Sequence, residues 1–173
     1  ICDFVRRYAE QDMLRLHMPG HKGKKYSGDI TEIHGADVLY SANGIIAQSQ
    51  ENAAELFGAY RTFYSAEGST LCIKAMLALV TEGKEQKRIL AGRNAHKAFL
   101  SAIALLDVDT EWFYPDVFED IMSCEITPHT LKKVLSQMSE MPVAVYITSP
   151  DYLGNMLDIK AISEVCKKHG ILL

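Results

Sequence analysis

Ala66-Glu67-Gly68-Ser69-Thr70 opens one apolar helical stretch of this chain, and Arg93-Asn94-Ala95-His96-Lys97 opens another. Gly68 lets the backbone come close to a ligand, and Ser69 and Thr70 offer hydroxyl and amide donors. A helix beginning there aims the positive end of its dipole at a bound phosphate. His96 stands in the same kind of position one unit later, where a flat imidazole on a rigid element can lie against a ring. Together the two runs describe a pocket for a phosphorylated aromatic ligand. Each also has a plainer reading: a turn glycine followed by a hydroxyl-capped helix, and a histidine that satisfies a backbone group at a helix start.

Other reactive residue types are weaker candidates. His17 and His21 have the i, i+4 spacing of a metal pair on a helix, but Pro19 and Gly20 stand between them, so no helix presents both on one face and no metal site is expected. Lys22, Lys24 and Lys25 read as a solvated patch. Asp29, Glu32 and Asp37 form an acidic cluster that would suit a cationic side chain, or is simply an acidic surface loop. Arg93 could pair with an anion or stand solvated at a strand end. Ser149-Pro150-Asp151-Tyr152 follows the strongest predicted strand, at the carboxyl end where open α/β sheets place ligands, so Ser149 and Tyr152 are candidate walls of a substrate pocket. Neither GxGxxG nor GxxxxGK[ST] occurs.

The elements that must hold these residues follow from periodicity. Helices are predicted over Gln50 to Phe57, Ser69 to Val80, His96 to Leu106, Thr127 to Met138 and Ile159 to Lys168. Strands are predicted over Arg61 to Tyr64, Arg88 to Ala91, Glu111 to Tyr114 and Val143 to Thr148. This alternation is that of a three-layer α/β/α domain with a mostly parallel sheet. Thr127-Pro128 is a good helix start and His169-Gly170 a good stop. Residues 1–46, rich in glycine after a helix-like stretch from Asp3 to Leu14, read as an arm with loops, and residues 47–173 as the α/β domain. Ile171-Leu172-Leu173 starts a further apolar run at the end of the chain, so the sheet is expected to be incomplete and the piece to self-associate in isolation.

At 173 residues the chain suits one domain that buries roughly two-thirds of its unfolded surface. A net charge of −4 gives no electrostatic reason to expect nucleic acid or an anionic membrane as partner. No apolar run approaches the length of about 18 residues of a spanning helix. Cys2, Cys72, Cys124 and Cys166 lack CxxC spacing and point to a reducing, cytoplasmic setting.

With these residues placed, the chain resembles the ornithine/lysine/arginine decarboxylases, pyridoxal-phosphate enzymes of the aspartate-aminotransferase fold type. The blocks that carry the resemblance are HMPGHKG (His17 to Gly23), DITEIHGAD (Asp29 to Asp37), AAELFGAYRTFYSAEGST (Ala53 to Thr70), RNAHKA (Arg93 to Ala98) and ITSPDYLGNMLDI (Ile147 to Ile159). The resemblance implies a cofactor domain that binds pyridoxal 5'-phosphate, with Gly68, Ser69 and Thr70 at its phosphate and His96 as the catalytic residue stacked on its ring. Lys97 is by the same resemblance a non-covalent lysine. The family's covalently bonding lysine and its ring-nitrogen aspartate would lie beyond Leu173, so this stretch alone is expected to be inactive. The implied reaction is decarboxylation of a small basic amino acid to its amine, in a homodimer or higher homo-oligomer. The alternatives are an incompetent fragment or assembly module of the same fold, or another reaction of the same cofactor such as transamination.

Overall fold

A computed structural model describes residues 1–11, 13–24, 26, 28–116 and 120–173. Contacts divide the chain into two compact units, 1–66 and 67–173. In the first, α1 (Cys2–Glu10) stacks Phe4 on Tyr8 with ring centroids 6.4 Å apart and buries Tyr8. The helix stops before the expected Leu14, since Gln11 is already extended; Asp12, and Lys25 of the lysine patch, lie outside the described residues.

The second helix, α2 (Ile45–Phe57), starts five residues earlier than its periodicity predicts, and the cause is a single carboxylate. Asp37 Oδ2 accepts from the amides of Gly44 (2.8 Å) and Ile46 (3.0 Å), while its Oδ1 accepts from Val38 (2.8 Å) and Asn43 (3.1 Å). An anion thus occupies the positive end of α2 from a distance in sequence. Gly58, at φ 62°, ends the helix. The residues Arg61 to Tyr64 do not form the expected strand: they have no ladder partner, and Tyr64 is tied by its hydroxyl to Ser49 on α2, 2.8 Å from both the side-chain and backbone oxygens. β-forming side chains make a strand only against a neighbouring strand.

The second unit runs α3 (Gly68–Thr81), β1 (Arg88–Gly92), α4 (Lys97–Leu106), β2 (Asp109–Phe113), α5 (Pro128–Gln137), β3 (Ala144–Tyr146) and α6 (Ile159–Lys168). The strands form a parallel sheet in the order β2-β1-β3, with Arg88 opposite Asp109 and Ile89 opposite Ala144. At the far edge of β3, Leu172 makes a parallel bridge to Ala144 and its carbonyl accepts from the amide of Val145 (2.8 Å), so the predicted next strand begins there. Thr127 and Thr130 form a reciprocal cap on α5, and Asp158 caps α6.

Alternation along the strands divides the core into two layers. Ile89, Ala91 and Ala144 face Leu77 of α3 and Phe99 and Ala102 of α4. Leu90, Phe113 and Val145 face Leu131 and Leu135 of α5 and Ile162 and Val165 of α6. Helices on both faces of a parallel sheet are the three-layer arrangement expected from the sequence.

Candidate active site

Where the chain changes direction decides where a ligand fits. From β1 the chain leaves through α4 to β2; from β3 it leaves through α6, on the opposite face, to Leu172. The connections after β1 and β3 therefore diverge to opposite faces, and the crevice between them at the carboxyl edge is the switch point at which open α/β sheets bind ligands. At this edge a Cβ on Gly92 would meet the carbonyl oxygen of Tyr146 at 3.8 Å, an ordinary van der Waals contact.

Two helix N-termini share this edge. Helix α4 starts there directly after β1, and α3, which packs beside α4, ends where the turn into β1 begins, so its first residues lie at the carboxyl edge as well. Gly68 has φ 68°, a conformation that favours glycine, and nothing within 4 Å of where a Cβ would be. The first turn of α3 has no side-chain cap. The hydroxyls of Ser69 and Thr70 are exposed and hydrogen-bonded to nothing among the described residues. Glu67 occupies the N-cap position, and its side chain accepts no capping hydrogen bond from the first-turn amides. Unpaired amides at the positive end of a helix, beside two free hydroxyls and a glycine, suit a phosphate.

His96 is the N-cap of α4, and its Nδ1 accepts from the amide of Ala98 at 3.1 Å. The backbone-satisfying role and an exposed ring are thus both present. With Nδ1 as acceptor, the neutral ring carries its proton on Nε2. In the first turn of α4, Phe99 lies 4.4 Å from Tyr146 and 5.8 Å from Trp112 between ring centroids, which ties this turn to the sheet. Burial pushes the Tyr146 phenol up, so it stays protonated. Arg93 lays its guanidinium over Trp112, 5.8 Å from the ring centroid.

The residues after β3 are organised around Asp151. Its carboxylate accepts from Asn155 Nδ2 (2.9 Å) and from the amides of Leu153 (2.9 Å) and Asn155 (2.8 Å), and the Asn155 side chain leads the groups that hold it below the usual carboxylate range. Ser149 Oγ accepts from the amide of Leu157 at 3.0 Å, so this hydroxyl fixes the loop. Tyr152 projects outward, 86% exposed. A cleft beside β3 is lined by Ser123, Cys124, Glu125, Thr148 and Asp151 rather than by Ser149 and Tyr152. Neither Thr148 nor Cys124 was a candidate site residue from the sequence; Thr148, two residues past the end of β3, carried a positional signal.

In the first unit, His17 Nε2 meets the Tyr8 hydroxyl at 2.7 Å and its Nδ1 meets the Met18 carbonyl. His21 Nε2 meets Asp29 at 2.9 Å while its Nδ1 accepts from the Gly23 amide. The two histidines thus have separate partners, and no group of three metal-ligating side chains occurs among the described residues. Asp29, Glu32 and Asp37 do line one open cleft, but each is engaged locally, with His21, with the Thr31 hydroxyl and with four amides. No helix among the described residues is long and apolar enough to cross a membrane.

The chain is similar in sequence and in fold to known proteins. The family model for the major domain of Orn/Lys/Arg decarboxylases matches residues 2–173. An arginine decarboxylase of Bacillus subtilis is 28% identical, covering 96% of this chain and 36% of the relative. One of Halalkalibacterium halodurans is 29% identical with the same coverage. The chain thus spans little more than a third of the curated relatives it matches. Among solved structures, the constitutive lysine decarboxylase of E. coli superposes with a TM-score of 0.71 at 18% identity, covering 95% of this chain and 27% of that one, a likeness of fold.

Proposed function

This chain belongs to the Orn/Lys/Arg decarboxylase family, and from that premise we propose that it forms part of the cofactor domain of a pyridoxal-phosphate enzyme that decarboxylates ornithine, lysine or arginine. The observation that carries the reading is the meeting, at one sheet edge, of an uncapped glycine-led helix N-terminus and a histidine ring fixed on the next helix. These residues fit the cofactor's two ends, an anionic phosphate and a flat ring.

When bound, pyridoxal phosphate supplies the electron sink that accepts the pair left behind as the α-carboxylate departs as carbon dioxide. The chain's own contribution is binding and orientation. The Ser69 and Thr70 hydroxyls and the first amides of α3 take the phosphate by charge-assisted hydrogen bonds. His96 presents its ring face to hold the cofactor ring flat, while its Nδ1 remains tied to Ala98 and its proton stays on Nε2. Gly68 admits the phosphate to the backbone without a Cβ in the way. We place the assembly as a homodimer or higher homo-oligomer.

The test is carbon dioxide release by the full-length polypeptide carrying this sequence, loaded with pyridoxal phosphate and offered ornithine, lysine and arginine separately. Release from at least one is expected. A loaded protein that releases none from all three contradicts the reading.

A further inference from the structure

The turn that delivers His96 is gripped from below by a segment far away in sequence. The Arg93 amide donates to the Phe113 carbonyl at 3.1 Å, and the Ala95 amide to Gly92 at 3.1 Å. The Asn94 side chain donates through Nδ2 to the Met122 carbonyl at 3.4 Å. The Cys124 thiol donates at 3.6 Å to the same Phe113 carbonyl that accepts from the Arg93 amide. Cys124 is 4% exposed, and burial pushes its thiol up, which keeps it a neutral hydrogen-bonding group rather than a nucleophile.

The gripping segment is itself ordered. Asp120 Oδ1 accepts from the amides of Met122 (2.6 Å) and Ser123 (3.0 Å), and Ile126 is in the core. At Gly92 there is no slack: a Cβ would lie 3.2 Å from Asn94 Oδ1 and 3.4 Å from Ile126 Cδ1. The Asn94–Met122 tie joins two loops at the carboxyl edge, while Phe113, at the end of β2, and Cys124 anchor that edge to the core. A side chain that must lie flat against a ligand needs such a supporting shell, because a small displacement of its base moves the whole ring.

We propose that Asn94 and Cys124 are positioning residues, which fix the Gly92–His96 turn against residues 120–126 and thereby set the His96 imidazole against the ring of the cofactor; this rests on the cofactor reading above. Neither touches the reacting atoms. Their effect passes through the backbone of the turn.

The experiment uses the full-length polypeptide with Asn94→Ala, Cys124→Ala and Cys124→Ser, and Val165→Ala as a core control. Three quantities are read: amide hydrogen exchange at residues 93–98 of the apo protein, the dissociation constant for pyridoxal phosphate, and the visible circular dichroism of the bound cofactor. Asn94→Ala and Cys124→Ala are expected to speed exchange in the turn, diminish the dichroism and weaken binding roughly fivefold to tenfold, the scale of one lost hydrogen bond. Cys124→Ser, which keeps a donor, restores all three. Val165→Ala lowers the melting temperature and leaves the dichroism unchanged. Unchanged exchange in the turn overturns the proposal, and so does a loosened turn with unaltered affinity and dichroism. A parent protein that binds no pyridoxal phosphate overturns the cofactor reading itself, and the positioning role with it.

Discussion

On the proposed reading His96 does two separable things, and substitution can pull them apart. Its Nδ1 caps α4, a role asparagine can take over, whereas its ring plane is what a cofactor would meet. His96→Asn should therefore leave the melting temperature near that of the parent and weaken pyridoxal-phosphate binding about tenfold or more. His96→Ala should lose the cap as well, at about 1 kcal/mol. Equal binding by His96→Asn and the parent would remove the ring-holding role. At Asp37 desolvation pushes the carboxyl up, but the amides of Val38, Gly44, Asn43 and Ile46 outweigh it and lower the pKa from 3.8 to about 2. A folded pKa below the ordinary one means that the clamp stabilises fully above about pH 4 and is lost as the pH falls through 2. Hydrogen exchange at Gly44 and Ile46 should accordingly stay slow, relative to α6, down to about pH 3; loosening already at pH 5 would contradict it. The helix starts at Gly68 and His96 were legible from residue type and spacing. The role of Asp37 was not, because a carboxylate that caps a helix from outside its first turn has no fixed spacing to read.

At the scale of elements, α6 spans the predicted Ile159–Lys168 residue for residue, bounded by a capping aspartate and a following glycine. The failure at Arg61 to Tyr64 shows the other side. Thr62, Phe63 and Tyr64 have strand-forming side chains, but strand formation depends on a neighbour that local sequence does not name. The start of β2 shifts for the same reason: Asp109 and Thr110 join the ladder because they lie opposite Arg88 and Ile89, with Arg88 Nε 2.7 Å from Asp109 Oδ2. Pairing also decides the site. The switch point between β1 and β3 exists only once the order β2-β1-β3 is known, and the Asn94–Met122 tie spans 28 positions that only that order brings together.

At the scale of the second unit, its two helical layers finish differently. On one side α5 and α6 carry Lys132, Lys133, Lys160 and Lys167 on exposed positions, as a solvated face should. On the other, α3 and α4 expose Met76, Leu79, Leu100 and Leu105. Apolar surface of this kind supports association. The isolated 173-residue chain should sediment as oligomers whose proportion rises with concentration; a monodisperse monomer that melts cooperatively would contradict this. The carboxyl edge is tested by comparing pyridoxal phosphate with pyridoxal as ligands of the full-length polypeptide, in the parent and in Ser69→Ala/Thr70→Ala. The parent should prefer the phosphorylated ligand and the double variant should lose about tenfold or more of that preference. An unchanged preference in the double variant, or none in the parent, would mean that the N-terminus of α3 does not hold a phosphate.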